Sequence, residues 1–175
     1  IEFIFTKEPG ATEEGAELRK LLLDKTVELD PISETFLLLA DRIEHVKKII
    51  NPALKENKNV LSDRYLDSTY AYQGGGRKIN KEELDKLIKP LKFPVPDLTI
   101  YLDLPAEEGL MRAKGRDRLD RFEEEEIDFF ERIRNSYLKL AQEDSKRIVT
   151  IDSTSNEKEV FLLAKEFIEK KLNES

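Results

Sequence analysis

The sequence contains no cysteine, no tryptophan and only one histidine among its 175 residues. The absence of cysteine excludes disulfide bonds, thiolate catalysis and metal sites built on cysteine. The lone histidine, His45, cannot form a histidine metal site, and its helical surroundings predict a surface or packing role. No apolar run approaches the ~20 residues that a membrane-spanning helix requires, and Ile1–Phe5 is too short for the core of a signal peptide. We therefore expect a cytoplasmic protein without a membrane partner.

An excess of positive charge is also lacking, because 30 lysines and arginines face 37 aspartates and glutamates, for a net charge of −7. A protein that binds nucleic acids usually carries a basic face, so we expect no nucleic acid partner. Any anion must instead be held by a local cluster of arginine or lysine. The 39% of hydrophobic residues is enough to form the core of one compact domain.

Short β-rich runs alternate with longer helical patterns along the chain. We predict strands at Ile1–Thr6, Val60–Ser62, Leu98–Leu102 and Arg147–Ile151. This alternation predicts an α/β fold, in which a parallel sheet is covered by helices on both faces. We treat residues 1–175 as a single domain.

Charged residues follow these strands, where α/β proteins bind their ligands. Glu8 follows the first strand, and Asp63 and Arg64 follow the second. Arg64 is suited to grip a phosphate with two hydrogen bonds, and Asp63 is suited to hold Mg²⁺ directly or through water. The alternative for Asp63 and Arg64, taken alone, is an ion pair at the end of a strand.

Two helical patterns place polar and apolar side chains together in a way that suits a planar base. Leu38 and Arg42 are four residues apart and share a helix face, as do Thr69, Tyr72 and Gln73. Taken alone, these patterns also fit an amphipathic helix and a polar helix end. The Gly74–Gly76 run does not match a phosphate-binding loop, so we predict a flexible connection there.

Several cations surround Gly115 in residues 112–124, which we predict to form a mobile lid that closes over phosphates. The alternative is an exposed loop of mixed charge. Arg19, on the first helix, is typical of a solvated helix face when it is considered alone.

Five segments occur in order along nearly the whole chain. They are TKEPGAT at Thr6–Thr12, LADR at Leu39–Arg42, SDRYLDSTYAYQG at Ser62–Gly74, PDLTIYLD at Pro96–Asp103 and RDRLDRFE at Arg116–Glu123. No single segment is decisive, but the ordered combination is highly specific and resembles the thymidylate kinases. The resemblance implies a P-loop nucleoside monophosphate kinase fold and a homodimer. It also implies phosphoryl transfer from ATP to dTMP with Mg²⁺.

The resemblance also implies roles for individual residues. Arg64 would hold the dTMP phosphate, Arg19 would contribute to this clamp, and Asp63 would organise Mg²⁺. The lid of the bacterial type would contain Arg116, Arg118 and Arg121, with Arg121 or Arg116 reaching the transferred phosphoryl group.

The nucleoside part of dTMP has its own set of implied contacts. Arg42 would donate to a thymine carbonyl, while Tyr72 would pack under the deoxyribose and Glu8 would lie near the sugar and phosphates. Leu38 would cover the base where most members of the family have a stacking phenylalanine. The remaining substrate contacts would come from Ser68, Thr69 and Gln73.

The sequence departs from the family pattern at its start, where the family has a first strand and a P-loop. Without them, we expect the flanking strands to lose a ladder partner and ATP to lose its backbone cradle. We expect poor folding and no kinase activity if the 175 residues are the whole polypeptide. Two alternatives follow: a non-catalytic nucleotide-binding fragment, or a kinase for another nucleoside monophosphate.

Overall fold

The computed structural model describes residues 2–114, 121–122 and 125–174, and their side chains except those of residues 113 and 114. Its strands are β1 (Phe3–Lys7), β2 (Asn59–Asp63), β3 (Thr99–Asp103) and β4 (Ile148–Asp152). Strand β1 pairs in parallel with β2, and β3 pairs in parallel with β4. The parallel strands that alternate with helices confirm the predicted α/β class. The sheet is divided into two pairs because no described strand lies between β2 and β3.

Helices occupy most of the connections between the strands. They are α1 (Glu13–Leu23), α2 (Pro31–His45), α3 (Asn51–Lys55), α4 (Leu66–Thr69), α5 (Lys81–Ile88), α6 (Ala106–Lys114), α7 (Ile127–Glu143) and α8 (Glu157–Asn173). Wide π-helical turns continue α2 through Val46–Ile50 and α4 through Tyr70–Gly76, and a 3₁₀ turn follows α5 at Lys89–Leu91. Among the described residues, no helix combines the length and apolar character needed to span a membrane.

Side-chain caps explain where two of these helices begin. The Thr12 hydroxyl accepts a hydrogen bond from the Gly15 amide at 3.0 Å, and α1 follows it. The Asp30 carboxylate accepts from the Ile32 amide at 2.8 Å, and Pro31 supplies the first residue of α2. These two caps fix the positions at which α1 and α2 begin.

Two clusters of buried apolar residues hold the helices together. One joins α2 to α5 and consists of Leu39, Ile79, Leu84 and Ile88. The other joins the Tyr70–Gly76 turn to α7 and consists of Ala71, Phe129 and Ile133. The Tyr70–Gly76 turn is therefore held between two packed surfaces.

The glycine run at Gly74–Gly76 belongs to this packed turn, so the prediction of a flexible connection is wrong. A Cβ atom on Gly76 would lie 2.6 Å from Phe129 Cε2, and one on Gly75 would lie 2.8 Å from the Arg132 carbonyl oxygen. The turn approaches α7 so closely that only glycine fits. The Gly74–Gly76 motif alone could not predict this packing, because α7 lies in a different part of the chain.

We expect Gly75→Ala to lower the free energy of unfolding by about 1–3 kcal/mol, because the new methyl group would overpack against the backbone of α7. Gly109→Ala is the matched control. A Cβ atom at Gly109, within α6, meets only Leu104 Cδ2 at 3.7 Å. Urea denaturation of both variants tests the expectation, which fails if Gly75→Ala is as stable as Gly109→Ala.

Candidate active site

A cavity of about 1060 Å³ lies between β2 and β3 and extends to α2, α4 and the Tyr70–Gly76 turn. Its volume is slightly above the range for small-molecule sites, which is about 300–1,000 Å³. The structure brings most of the predicted site residues to its wall: Glu8, Arg19, Leu38, Arg42, Asp63, Arg64, Ser68, Thr69, Tyr72 and Gln73. Sequence positions up to 65 residues apart therefore share one site.

Matching faces of two helical segments form one wall of this cavity. Glu34, Leu38 and Arg42 recur every four residues along α2. Opposite them, the Thr69 hydroxyl accepts a hydrogen bond from Arg42 at 2.8 Å, and the Gln73 amide donates to Glu34 at 2.9 Å. Leu38 lies between these two links on α2, so an apolar side chain is flanked by polar groups on both sides.

Arg42 is anchored by a buried acid and a buried histidine. Its Nε atom donates to Glu8 Oε2 at 2.7 Å, and His45 Nδ1 lies 2.8 Å from Glu8 Oε1. The other ring nitrogen of His45, Nε2, lies 2.7 Å from the Thr6 hydroxyl. The side chains of Arg42 and Glu8 are only 3% and 4% exposed, so neither charge is solvated by water. The surface or packing role predicted for His45 therefore missed its polar contacts.

The rest of the Arg42 guanidinium faces aromatic rings and the cavity. It lies 5.3 Å from the centre of the Tyr65 ring and 5.9 Å from that of Phe93. Its NH2 group donates to the Tyr65 carbonyl oxygen at 3.0 Å. Of the five N–H groups of an arginine, three have these protein acceptors. The other two have no partner among the described residues and are available to a ligand.

The turn after β1 is held by the carboxylate of Asp41. The Gly10 amide donates to Asp41 Oδ1 at 2.9 Å, and burial raises the pKa of the Asp41 carboxyl. Gly10 has φ of 101°, and a Cβ atom there would lie 2.8 Å from Arg19 Cδ. Arg19 in turn donates to the Pro9 carbonyl oxygen at 2.8 Å. The turn therefore fixes the stem of Arg19, which also lines the cavity.

Arg64 lies at the carboxyl end of β2 in the left-handed backbone region, with φ of 67°. Its guanidinium lies 4.7 Å from the centre of the Tyr72 ring. Nearby, the Ser68 hydroxyl lies 2.7 Å from the Tyr137 hydroxyl, and burial raises the pKa of Tyr137. Arg64 thus presents a fixed positive charge to the cavity beside two hydroxyl groups.

Asp63, the residue predicted to hold a metal, is exposed and lines the same cavity. Among the described residues, no group of three or more histidine, aspartate or glutamate side chains is placed to hold a metal ion. A single carboxylate fits Mg²⁺, which usually takes one or two carboxylates together with waters and substrate phosphates. Asp63 therefore suits an ion that arrives with a nucleotide.

Arg121 makes protein contacts that were not predicted. It donates to the Leu22 carbonyl oxygen at 2.8 Å and to Glu34 Oε2 at 2.7 Å. Arg77 also donates to both oxygens of Glu34, at 3.2 and 3.1 Å. Arg121 is not among the residues that line the cavity. Arg116 and Arg118 lie outside the described residues, as does much of the predicted lid at 112–124.

A comparison with known protein families shows to which family the chain belongs. The thymidylate kinase family model matches residues 1–162. The chain belongs to the thymidylate kinase family. This membership confirms the resemblance and the fold class inferred from the sequence.

Relatives from several bacteria support the assignment to the thymidylate kinase family. A thymidylate kinase of Pseudomonas fluorescens is 46% identical over 87% of this chain and 74% of the relative. One from Carboxydothermus hydrogenoformans is 43% identical over 97% of this chain and 83% of the relative. The crystal structure of the thymidylate kinase from Ehrlichia chaffeensis superposes with a TM-score of 0.77, at 29% identity, over 96% of this chain and 81% of that one.

Two further aspartates, Asp67 and Asp103, form ion pairs that join separate elements of the fold. Asp103, at the end of β3, accepts hydrogen bonds from Arg134 Nε at 2.8 Å and from Arg134 NH2 at 2.9 Å. Asp67 accepts from both terminal nitrogens of Arg147, at 2.8 and 2.9 Å. The first pair joins β3 to α7, and the second joins α4 to the residue that precedes β4.

We expect Arg134→Met to lower the free energy of unfolding by about 1 kcal/mol at pH 7, because a charged and partly exposed pair of hydrogen bonds is lost. These bonds hold the pKa of Asp103 below its usual range. A depressed carboxyl pKa stabilises the fold above the unfolded pKa, and that stability is lost as pH falls through the folded pKa. The difference between the variant and the wild type should therefore shrink below about pH 3.8.

Urea denaturation at pH 7 and at pH 3 measures this difference. Lys20→Met is the matched control, because Lys20 and Glu17 are 72% and 71% exposed and their ion pair contributes little. An Arg134→Met effect that is equal at both pH values would contradict the attribution of the lost stability to the hydrogen bonds between Arg134 and Asp103.

Proposed function

We propose that this protein transfers the γ-phosphoryl group of ATP to dTMP, with Mg²⁺, to form dTDP and ADP. The observation that carries the proposal is the pair of polar side chains, Arg42 and Gln73, in the wall of the cavity. Arg42 offers N–H donors, and the carbonyl oxygen of Gln73 has no donor among the described residues. A thymine presents the complementary pair, since O4 accepts a hydrogen bond and N3–H donates one.

The surroundings of this pair support a pyrimidine deoxynucleotide. Leu38 offers an apolar cover for the ring of the base between the polar links of α2. The Tyr72 ring packs edge-on against Phe122 and Phe129, at 5.9 and 6.3 Å between ring centres. We propose that this fixed ring packs under the deoxyribose and disfavours a 2′-hydroxyl group. Thr69, already held by Arg42, and Ser68 complete the substrate contacts.

The phosphate of dTMP is proposed to bind at Arg64, with Arg19 contributing and Glu8 close to the sugar and phosphates. The Arg64 guanidinium lies over the Tyr72 ring, so the guanidinium is beside the proposed position of the sugar. Bidentate hydrogen bonds from arginine suit a phosphate group and orient one of its oxygens. That oxygen attacks the γ-phosphorus of ATP, and the bond to the β,γ-bridging oxygen breaks as ADP leaves.

Asp63 is proposed to hold Mg²⁺, which would neutralise charge on the transferring phosphates. Arg116, Arg118 and Arg121 are proposed as lid arginines, with the lid at residues 112–124 within one kinase domain of residues 1–175. In the described conformation Arg121 is paired with Glu34, so a role at the phosphoryl group requires that pair to open. Closure of the lid would exclude water and limit hydrolysis of ATP.

A homodimer in the cytoplasm is part of the proposal. Exposed apolar side chains on α2 support self-association, because Phe36 is 53% and Ile43 40% exposed. The lack of cysteine agrees with a reducing compartment. Sedimentation of the purified protein measures the mass of the assembly.

The function is tested with ATP and Mg²⁺ against dTMP, dUMP, dCMP and thymidine, with formation of ADP as the readout. We expect dTMP to give the highest kcat/KM and chelation of Mg²⁺ to abolish turnover. Preference for another nucleotide would identify a different monophosphate kinase. Binding of dTMP without turnover would indicate a nucleotide-binding fragment. The absence of both turnover and dTMP binding would overturn the proposal.

A further inference from the structure

Glu34 is a buried acid that contacts Gln73 of the cavity wall and two arginines. Its side chain is fully buried, and Gln73 is 1% exposed. Glu34 Oε1 accepts from the Gln73 amide at 2.9 Å, while Arg77 and Arg121 also donate to the carboxylate. Glu34 is not among the residues that line the cavity, although it lies on the same face of α2 as Leu38 and Arg42.

The contact between Glu34 and Gln73 fixes the polarity of the glutamine side chain. A carboxylate has no hydrogen to donate, so the glutamine atom that faces it must be the NH₂ group. The carbonyl oxygen of the planar amide must then point away from Glu34. Because Gln73 lines the cavity, this oxygen is the group available to a bound base.

We propose that Glu34 is a positioning residue that sets the preference for thymine over cytosine by fixing the orientation of the Gln73 amide. The inference rests on the proposed function. Thymine N3 carries a hydrogen and donates it to the Gln73 oxygen, whereas N3 of cytosine is an acceptor and would face that oxygen without a hydrogen. The exocyclic groups repeat the mismatch, since the N–H donors of Arg42 suit O4 of thymine but oppose the amino group of cytosine.

A free glutamine side chain would not discriminate in this way. Rotation of the amide by half a turn exchanges its donor and acceptor, and the donor would then suit cytosine N3. Glu34 prevents the exchange, because a flipped amide would bring two acceptor oxygens together inside the protein. An unpaired buried acceptor is costly, so the flip is strongly disfavoured.

Glu34→Gln tests the proposal, because the new amide has nearly the same shape but can donate as well as accept. It can therefore pair with either orientation of Gln73. We expect the ratio of kcat/KM for dTMP to that for dCMP to fall about 10- to 100-fold, because one discriminating hydrogen bond loses its fixed direction. An unchanged ratio in a folded Glu34→Gln protein would overturn the proposal.

Arg77→Met is the matched control for damage to the Glu34 cluster. Arg77 donates to Glu34 but its side chain is not in the cavity wall, so the variant weakens the cluster and leaves a carboxylate facing Gln73. We expect a lower melting temperature for Arg77→Met with an unchanged dTMP-to-dCMP ratio. A fall in the ratio as large as that of Glu34→Gln would show that Glu34 acts only through stability.

Gln73→Met provides a second test, and its first part does not depend on the folding of a Glu34 variant. Loss of the amide should itself lower the dTMP-to-dCMP ratio. Adding Glu34→Gln in that background should lower the ratio no further. A wild-type ratio in Gln73→Met would overturn the inference. Failure of the proposed function is distinguishable, because the wild-type protein would then show no preference for dTMP in the first place.

Discussion

Replacing Arg42 with methionine is expected to weaken dTMP binding about 100-fold, which corresponds to the loss of charged hydrogen bonds to the base. The same change should lower the free energy of unfolding by about 3–5 kcal/mol, because it leaves a buried carboxylate without its cation. That carboxylate is Glu8, which is 4% exposed and whose other close contact is His45. Calorimetric titration with dTMP and urea denaturation measure the two effects separately.

The two effects of Arg42→Met have different causes and can be separated by a second substitution. Glu8→Gln in the Arg42→Met background removes the stranded charge while keeping an acceptor for His45. We expect the double variant to recover about 2 kcal/mol of the lost stability, since a buried uncompensated charge is the main cost. Its affinity for dTMP should stay low, because the base donors are still missing. Wild-type affinity in either variant would contradict the role of Arg42.

The parts of the site that sequence alone could predict are those with a local signal. Arg42 and Leu38 share a helix face, and Arg64 follows a strand. The structure brings most of the residues that these local patterns and the ordered motifs single out to one cavity. The parallel strands were also accessible, because short β-rich runs alternate with helical patterns. In each case residues close in the chain determine the feature.

The parts that sequence could not predict depend on contacts between distant segments. His45 lies 37 residues from Glu8, and Gln73 lies 39 residues from Glu34. Each bond forms only after α2 packs against β1 and the Tyr70–Gly76 turn. One available signal was the position of Glu34, four residues before Leu38 on the same helix face. The packed state of Gly75 had no such signal, because α7 approaches it from more than fifty residues away.

The last prediction concerns Arg64, whose backbone conformation costs stability while its side chain is proposed to bind the phosphate. We expect Arg64→Ala and Arg64→Gly each to lower kcat/KM for dTMP about 100-fold, because both remove charged hydrogen bonds to the phosphate. The two variants should differ in stability. The φ of 67° is costly for alanine and free for glycine, so the free energy of unfolding should be about 1 kcal/mol higher for Arg64→Gly.

Lys78 is the matched control, since its φ is 64° and it lies outside the cavity wall. Lys78→Gly should exceed Lys78→Ala in stability by a similar amount, about 1 kcal/mol, with kcat/KM for dTMP unchanged in both. Equal stabilities for Arg64→Gly and Arg64→Ala would show that the backbone at Arg64 is not strained. Wild-type kcat/KM in both Arg64 variants would remove Arg64 from the phosphate site. The four proteins together separate the cost of the left-handed backbone from the contribution of the guanidinium to phosphate binding.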